Sequence, residues 1–298
     1  MQIRGILPAA AAACAALAAG CSDSTDPTFV NVGPQAYVRY VNASPDSPAL
    51  TVRLVDRVEN WRTADGLPFR GNTGWYVAVN AGTRQLRAFR LLGVSGNALL
   101  DTATVVVLDT SVTLQEKTYY TIVQTGNVLP GRGQAGNNAR ITVFQDSVPA
   151  ASGITSGIRV RVYNAAPTVG PVDVAAADTV AGSTSTGAIA GVAPLTRSAY
   201  AALPALGATG FYRFTVRPAG AATSLGTGVP VNFPGLVSVP ASATSPFLEA
   251  VAGVRLSGSA LALVVFPPAT AGTAAATATG ASTTSATVDL FPDNKPGQ

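Results

Sequence analysis

Tyr37-Val38-Arg39-Tyr40-Val41-Asn42-Ala43-Ser44-Pro45 reads as a strand that breaks at a turn, and Ile158-Arg159-Val160-Arg161-Val162-Tyr163-Asn164-Ala165-Ala166-Pro167 reads as the same strand again. Each is a run of β-branched and aromatic residues closed by Asn and then Pro. Asn42 and Asn164 stand 122 residues apart. Working outward, Pro48-Ala49-Leu50-Thr51-Val52 pairs with Gly170-Pro171-Val172-Asp173-Val174, and Tyr76-Val77-Ala78-Val79 with Tyr200-Ala201-Ala202-Leu203. Arg140-Ile141-Thr142-Val143-Phe144 is matched to Ala262-Leu263-Val264-Val265-Phe266, where Phe144 and Phe266 are again 122 apart. Self-similarity at a fixed offset signals tandem duplication.

Within each copy the segments are short, rich in Val, Ile, Thr and Tyr, and bounded by Gly, Pro, Asn or Asp. Strands are expected near 36–42, 49–55, 74–79, 85–91, 103–107, 111–115, 118–124 and 139–145 in the first copy. In the second they are expected near 158–164, 171–176, 198–203, 210–217, 228–232, 236–239, 246–251 and 260–266. Alternation is clearest in Phe211-Tyr212-Arg213-Phe214-Thr215-Val216-Arg217, which turns Tyr212, Phe214 and Val216 inward. In 85–91, Leu86 and Ala88 are in phase but Phe89 is not, which a β-bulge explains. The expected fold is all-β: two tandem immunoglobulin- or transthyretin-like β-sandwich domains, 36–147 and 158–268, joined by a linker at 148–157. With no Cys–Trp–Cys arrangement, a true antibody-type domain is excluded.

Composition narrows the chemistry. The 298 residues are 47% apolar and 11% charged, with no His and a formal charge of +4. No imidazole is present to act as base or metal ligand. Both cysteines, Cys14 and Cys21, lie at the N-terminus, so the rest of the chain has no thiol nucleophile, zinc site or disulfide. No D-x-D-x-D-G calcium loop or P-loop occurs. The arginines are scattered rather than clustered, which argues against nucleic acid as a partner. No cofactor, metal site or catalytic set is expected.

The N-terminus reads as an address. Arg4 precedes an uncharged apolar run, Ile6 to Ala19, which ends in Leu17-Ala18-Ala19-Gly20-Cys21. This resembles a bacterial lipoprotein signal: 1–20 is removed, Cys21 becomes the lipidated residue, and 21–35 is a polar tether. The implied location is the bacterial cell envelope, on the periplasmic side or surface of the outer membrane, with the membrane as a partner through the lipid. The apolar run is too short to span a bilayer.

Val38-Arg39-Tyr40-Val41-Asn42-Ala43-Ser44-Pro45-Asp46-Ser47-Pro48 resembles the opening signature of a bacterial extracytoplasmic β-domain family, domain of unknown function number 4397. Its members carry V-R-hydrophobic-hydrophobic-H/N-A-S-P-D-A-P and then a V-D-V-type strand, a place taken here by Leu50-Thr51-Val52 and Val172-Asp173-Val174. The resemblance covers 36–146 and 158–268. The second copy departs from it, with Ala166 for the Ser and Thr168 for the Asp. It implies a secreted or lipid-anchored protein, often with tandem copies, and transfers no active site.

Among polar positions, Asn42 and Asn164 suit capping of their own turns, and Asp46 suits accepting backbone N–H groups. The longest non-periodic stretch, 56–74, carries Trp61 and Phe69 among charged residues, which makes them the candidate ligand contacts. Glu249 is an isolated glutamate in an apolar run. Residues 269–298 read as a low-complexity tail with one strand-like segment at 287–291, which either adds an edge strand to the second copy or stays disordered. The expected function is a non-catalytic binding or structural role on the envelope, toward an envelope protein or glycan. The alternatives are an assembly partner of an envelope complex and an extracytoplasmic carboxylate-dependent hydrolase, which would need two acids in a pocket with at least one raised pKa.

Overall fold

The computed structural model describes residues 33–47, 49–57, 64–91, 104–129, 138–179, 187–226, 228–231, 233–238, 249–278 and 282–294. The first copy supplies β1 (Gln35–Ala43), β2 (Ala49–Leu54), β3 (Ala64–Pro68), β4 (Val77–Asn80), β5 (Gly82–Leu91), β6 (Thr104–Leu114), β7 (Tyr119–Thr125) and β8 (Arg140–Asp146). A 3-10 turn at Ala151–Gly153 leads to the second copy. This supplies β9 (Ile158–Asn164), β10 (Val172–Asp178), β11 (Gly187–Val192), β12 (Ala201–Leu203), β13 (Tyr212–Pro218), β14 (Val229–Val231), β15 (Ala260–Phe266) and β16 (Thr287–Pro292). A short helix, α1 (Ala274–Ala278), precedes β16.

The duplication is explicit in the topology. One pair of sheets runs β4-β1-β7-β8 and β3-β2-β5-β6, and the other runs β12-β9-β15-β16 and β11-β10-β13-β14. Adding eight to each strand of the first pair gives the second. The parallel pairings repeat as well, β1 with β7 and β9 with β15. Each copy closes on its own core. Val38, Tyr40, Val52, Leu86, Ala88 and Ile122 meet in the first, and Val160, Val162, Val174, Phe214, Val216 and Leu263 in the second.

Several expectations need correction. The match of Phe144 to Phe266 is a coincidence of offset, because Phe144 lies on β8 whereas Phe266 lies on β15, the counterpart of β7. The true counterpart of β8 is β16, so the second sandwich extends past 268 into the stretch read as a tail. Small residues of that stretch also pack: Ala269 and Ala275 are buried. The two segments 103–107 and 111–115 form one strand, β6. Strands β3 and β11 went unread, because Ala64–Pro68 and Gly187–Val192 carry Gly, Ala and Pro rather than β-branched alternation. Of the strand expected at 236–239, the described residues 236–238 form none, and Leu236 makes only an isolated bridge to Val251. The bulge in β5 is present, as a register shift between Ala88 and Phe89 against β6.

Both sandwiches belong to one compact unit, Gln35–Gln298. The outer face of sheet β4-β1-β7-β8 meets the outer face of β12-β9-β15-β16. Val41, Ala43, Phe69 and Val123 of the first copy join Tyr163, Ala262, Val264, Phe266 and Phe291 of the second in a third buried cluster. These two sheets are therefore covered on both faces, and all seven residues of β15 are buried.

Candidate functional site

Alternation along β1 places Arg39 on the outer face of its sheet, which is also the face buried against the other sandwich. Its counterpart on β9, Arg161, lies on the same kind of face, and both side chains are inaccessible to solvent. Strand register equates Tyr76, just before β4, with Tyr200, just before β12, and equates Asp146 at the end of β8 with Asp293 just after β16. These six residues converge. Arg39 pairs with Asp293 at 2.9 Å, across the interface. Arg161 pairs with Asp146 at 3.2 Å, also across the interface, and its Nε reaches Asp293 at 2.9 Å. Because equivalent residues trade equivalent partners, the interface is isologous in form, with the two copies in the roles of two subunits.

Hydroxyls supply further hydrogen bonds to the network, although Arg39 Nε is left without a hydrogen-bond acceptor. Tyr76 donates to Asp146 at 3.0 Å, Tyr200 to Asp293 at 2.6 Å, and Tyr163 to Asp146 at 2.6 Å. Thr121 also donates to Asp146, at 2.5 Å, and accepts from Arg39 at 2.9 Å. Arg39 lies 4.7 Å above the Tyr76 ring, and Arg161 is 4.7 Å from the Tyr200 ring centroid. Charges taken out of water need such partners.

The electrostatics follow. Burial pushes the Asp293 carboxyl upward, but Arg39 and Arg161 outweigh it and hold the group below the usual carboxylate range. Burial, reinforced by Asp293, pushes the hydroxyls of Tyr76, Tyr163 and Tyr200 upward, so they are donors at neutral pH. A carboxylate held this firmly ionised is a poor general acid.

The rim of this network opens into a cleft of about 910 Å³, lined from both copies. Tyr37 and Tyr119, cross-strand neighbours on β1 and β7, stack with centroids 4.8 Å apart and planes 19° apart. Tyr76 meets the Tyr119 ring edge-on at 5.0 Å, and Trp75 lies beside it on the wall. The rest of the lining is Val148 to Ala151, Glu249 to Val251, Asp293 and Asn294. Asn294 is committed to the fold, accepting from the Ala260 N–H and donating to Gly258. Here the copies have diverged: the positions equivalent to Tyr37, Trp75 and Tyr119 are Arg159, Ala199 and Ala260. The charged core is duplicated, and the aromatic wall belongs to the first copy alone.

The residues singled out from sequence fall elsewhere. Asn42 and Asn164 are buried and do the same thing twice. Each side-chain oxygen accepts from the backbone two residues on, Ser44 or Ala166, and each amide donates to the facing strand at Leu67 or Val192. Asn42 and Asn164 also accept, through their backbone carbonyls, from Arg70 and Leu195, both with left-handed φ, at 69° and 57°. Asp46 is buried and accepts from the backbone of Val128 and Leu129 in the turn after β7. Phe69 is not an exposed contact. It is 2% accessible and packs edge-on against Phe266 at 6.3 Å, as an anchor between the copies. Trp61 and Cys21 lie outside the described residues. Among the described residues, no group of three or more His, Cys, Asp or Glu is placed to hold a metal ion.

Residues 36–175 match the family model described as "Domain of unknown function (DUF4397)". The match covers the first sandwich and the start of the second copy, whose likeness to the first rests on strand order. No curated protein matches the chain. Among solved structures, the chain is similar to a "putative cell adhesion protein" from Bacteroides uniformis, at 11% identity over 88% of this chain and 98% of that one, with a TM-score of 0.21. A likeness at that level carries no argument.

Proposed function

We propose that this protein is a lipid-anchored, non-catalytic binding module of the bacterial cell envelope, which presents the cleft between its two sandwiches to a ligand. The observation that carries this reading is the aromatic wall of the cleft, built on one copy only, over a charged core that both copies share. The core supports binding rather than turnover. Of the two acids lining the cleft, Asp293 is held ionised by two arginines, the reverse of what a carboxylate-dependent hydrolase asks of its acid. The acid with a raised pKa, through burial, is Asp289, which is not part of the cleft lining.

In the same reading each sandwich is transthyretin-like rather than immunoglobulin-like. Strands one and two lie in different sheets, whereas an immunoglobulin constant-type sandwich keeps them together. Lipidation at Cys21 and the tether 21–35 would hold the pair of sandwiches at the membrane. Cys21→Ser is expected to abolish incorporation of radiolabelled fatty acid, and label persisting on that variant would overturn the anchor.

The binding role is tested with Trp75→Ala in the full chain, by melting temperature and by retention on isolated envelope fractions. Trp75 is partly exposed on the cleft wall, so retention should fall while the melt stays near that of the parent. Equal retention by parent and variant would remove the cleft from the function.

A further inference from the structure

We propose that the cleft takes a neutral saccharide, stacked on the rings of its first-copy wall; this deepens the binding role above and rests on it. Charge is the first argument. Among the described residues neither Lys nor Arg lines the cleft, and the arginines beneath it, Arg39 and Arg161, are already paired with Asp293 and Asp146. An anionic ligand would find no unpaired counter-charge among these residues. A cationic ligand is served little better, because Asp293 faces two arginines and the other lining acid, Glu249, stands exposed.

Shape and chemistry make the second argument. Tyr37 and Tyr119 form a stacked pair, and Trp75 adds a further ring to the lining. Aromatic side chains combine a flat apolar body with a polar tip. A pyranose ring has the complementary form, an apolar C–H face with hydroxyls at its edge. The rest of the lining supplies the small apolar side chains of Val148, Pro149, Ala150 and Val251. A cleft of about 910 Å³ accommodates more than one sugar unit.

The third argument is the divergence. Arg159, Ala199 and Ala260 hold the equivalent positions in the second copy, so the rings are not required by the fold that the copies share. They are an addition to it.

The test is calorimetric titration of the full chain in detergent with short neutral oligosaccharides of glucose, galactose, mannose and N-acetylglucosamine, against uronic-acid oligosaccharides and a basic peptide. A saturable response to at least one neutral probe is expected. Trp75→Ala should weaken it about thirtyfold, the loss typical of truncating a buried aromatic anchor. Tyr119→Phe, which keeps the ring and removes the hydroxyl, should weaken it less, with both variants melting like the parent. A Trp75-dependent response to the acidic probe or the peptide alone would overturn the saccharide and leave the binding role standing. A Trp75-dependent hold on envelope fractions without a neutral-saccharide response would do the same. No Trp75-dependent binding of any kind would overturn both.

Discussion

Asp293→Ala is expected to destabilise the fold by about 3–5 kcal/mol, the range for removing one partner of a buried ion pair. The reason is what remains behind. Arg39 and Arg161 are both inaccessible to solvent, and Asp293 is the carboxylate that bridges them, at 2.9 Å to each. Without it, Asp146 faces two guanidinium groups, and the Tyr200 hydroxyl loses its acceptor at 2.6 Å. The melting temperature should fall by on the order of 10 °C. Asp109→Asn, which disturbs the exposed Arg87 pair, should change it far less. A small effect at Asp293 would mean that the two sandwiches are held by the apolar cluster alone. The pH dependence has a definite sign. The native Asp293 pKa lies below its unfolded value, so its contribution is present above about pH 4 and is lost as pH falls through the native value.

At the other end of the scale, alkaline unfolding should begin close to pH 10. Tyr76, Tyr163 and Tyr200 have native pKa values above that of an unfolded tyrosine, because burial and Asp293 disfavour their anions. The stability tied to them is complete below about pH 10 and is lost as pH rises toward the native values. Each hydroxyl that stays protonated in the native state while ionising in the unfolded one costs about 1.4 kcal/mol per pH unit. All three together approach about 4 kcal/mol per unit, enough to exhaust a typical domain's stability within a few pH units. Melting temperatures from pH 8 to 11.5 check this. Tyr163→Phe lowers stability at neutral pH, since the hydroxyl bonds Asp146 at 2.6 Å, but it should also flatten the alkaline slope. An unchanged slope would remove Tyr163 from the effect.

How much of this was legible depended on how many faces each strand buries. In β13 one face meets the core and the other meets water, so Tyr212, Phe214 and Val216 declared themselves by alternation. In Ala260–Phe266 both faces are dry, and a continuous apolar run has no phase to read. Arg39 and Arg161 are opaque to sequence for the same reason. Alternation assigns them to an outer face, and nothing local says that this face meets a copy of itself. A signal for the network did exist in the duplication. Arg39 and Arg161 are 122 apart, Tyr76 and Tyr200 are 124, and Asp146 and Asp293 are 147. Holding the offset fixed at 122 hid the last pair and made β15 look like β8. Asp56 to Gly74 has the non-periodic pattern of a loop, which makes Phe69 a candidate contact by sequence alone. In fact β3 runs through it and delivers the ring to the interface. The aromatic wall joins Tyr37, Trp75 and Tyr119 from three separate segments, which only the β1–β7 pairing and the turn before β4 bring together.

Strand β16 and the residue after it carry a consequence for how the molecule is made. Arg39 sits on the first strand, yet its acceptors include the Pro292 carbonyl, 253 residues away, and the Asp293 carboxylate just beyond. A nascent first copy therefore leaves the ribosome with that guanidinium still wet and its sheet uncovered. The final strand must be delivered before the halves can lock. Contacts this distant in sequence slow folding, because the chain's ends must be brought together before the contact is rewarded. The uncovered β4-β1-β7-β8 face is the surface at risk of mispairing in that interval. A factor that shields it until the second copy has folded would speed maturation more than one that acts on the finished protein.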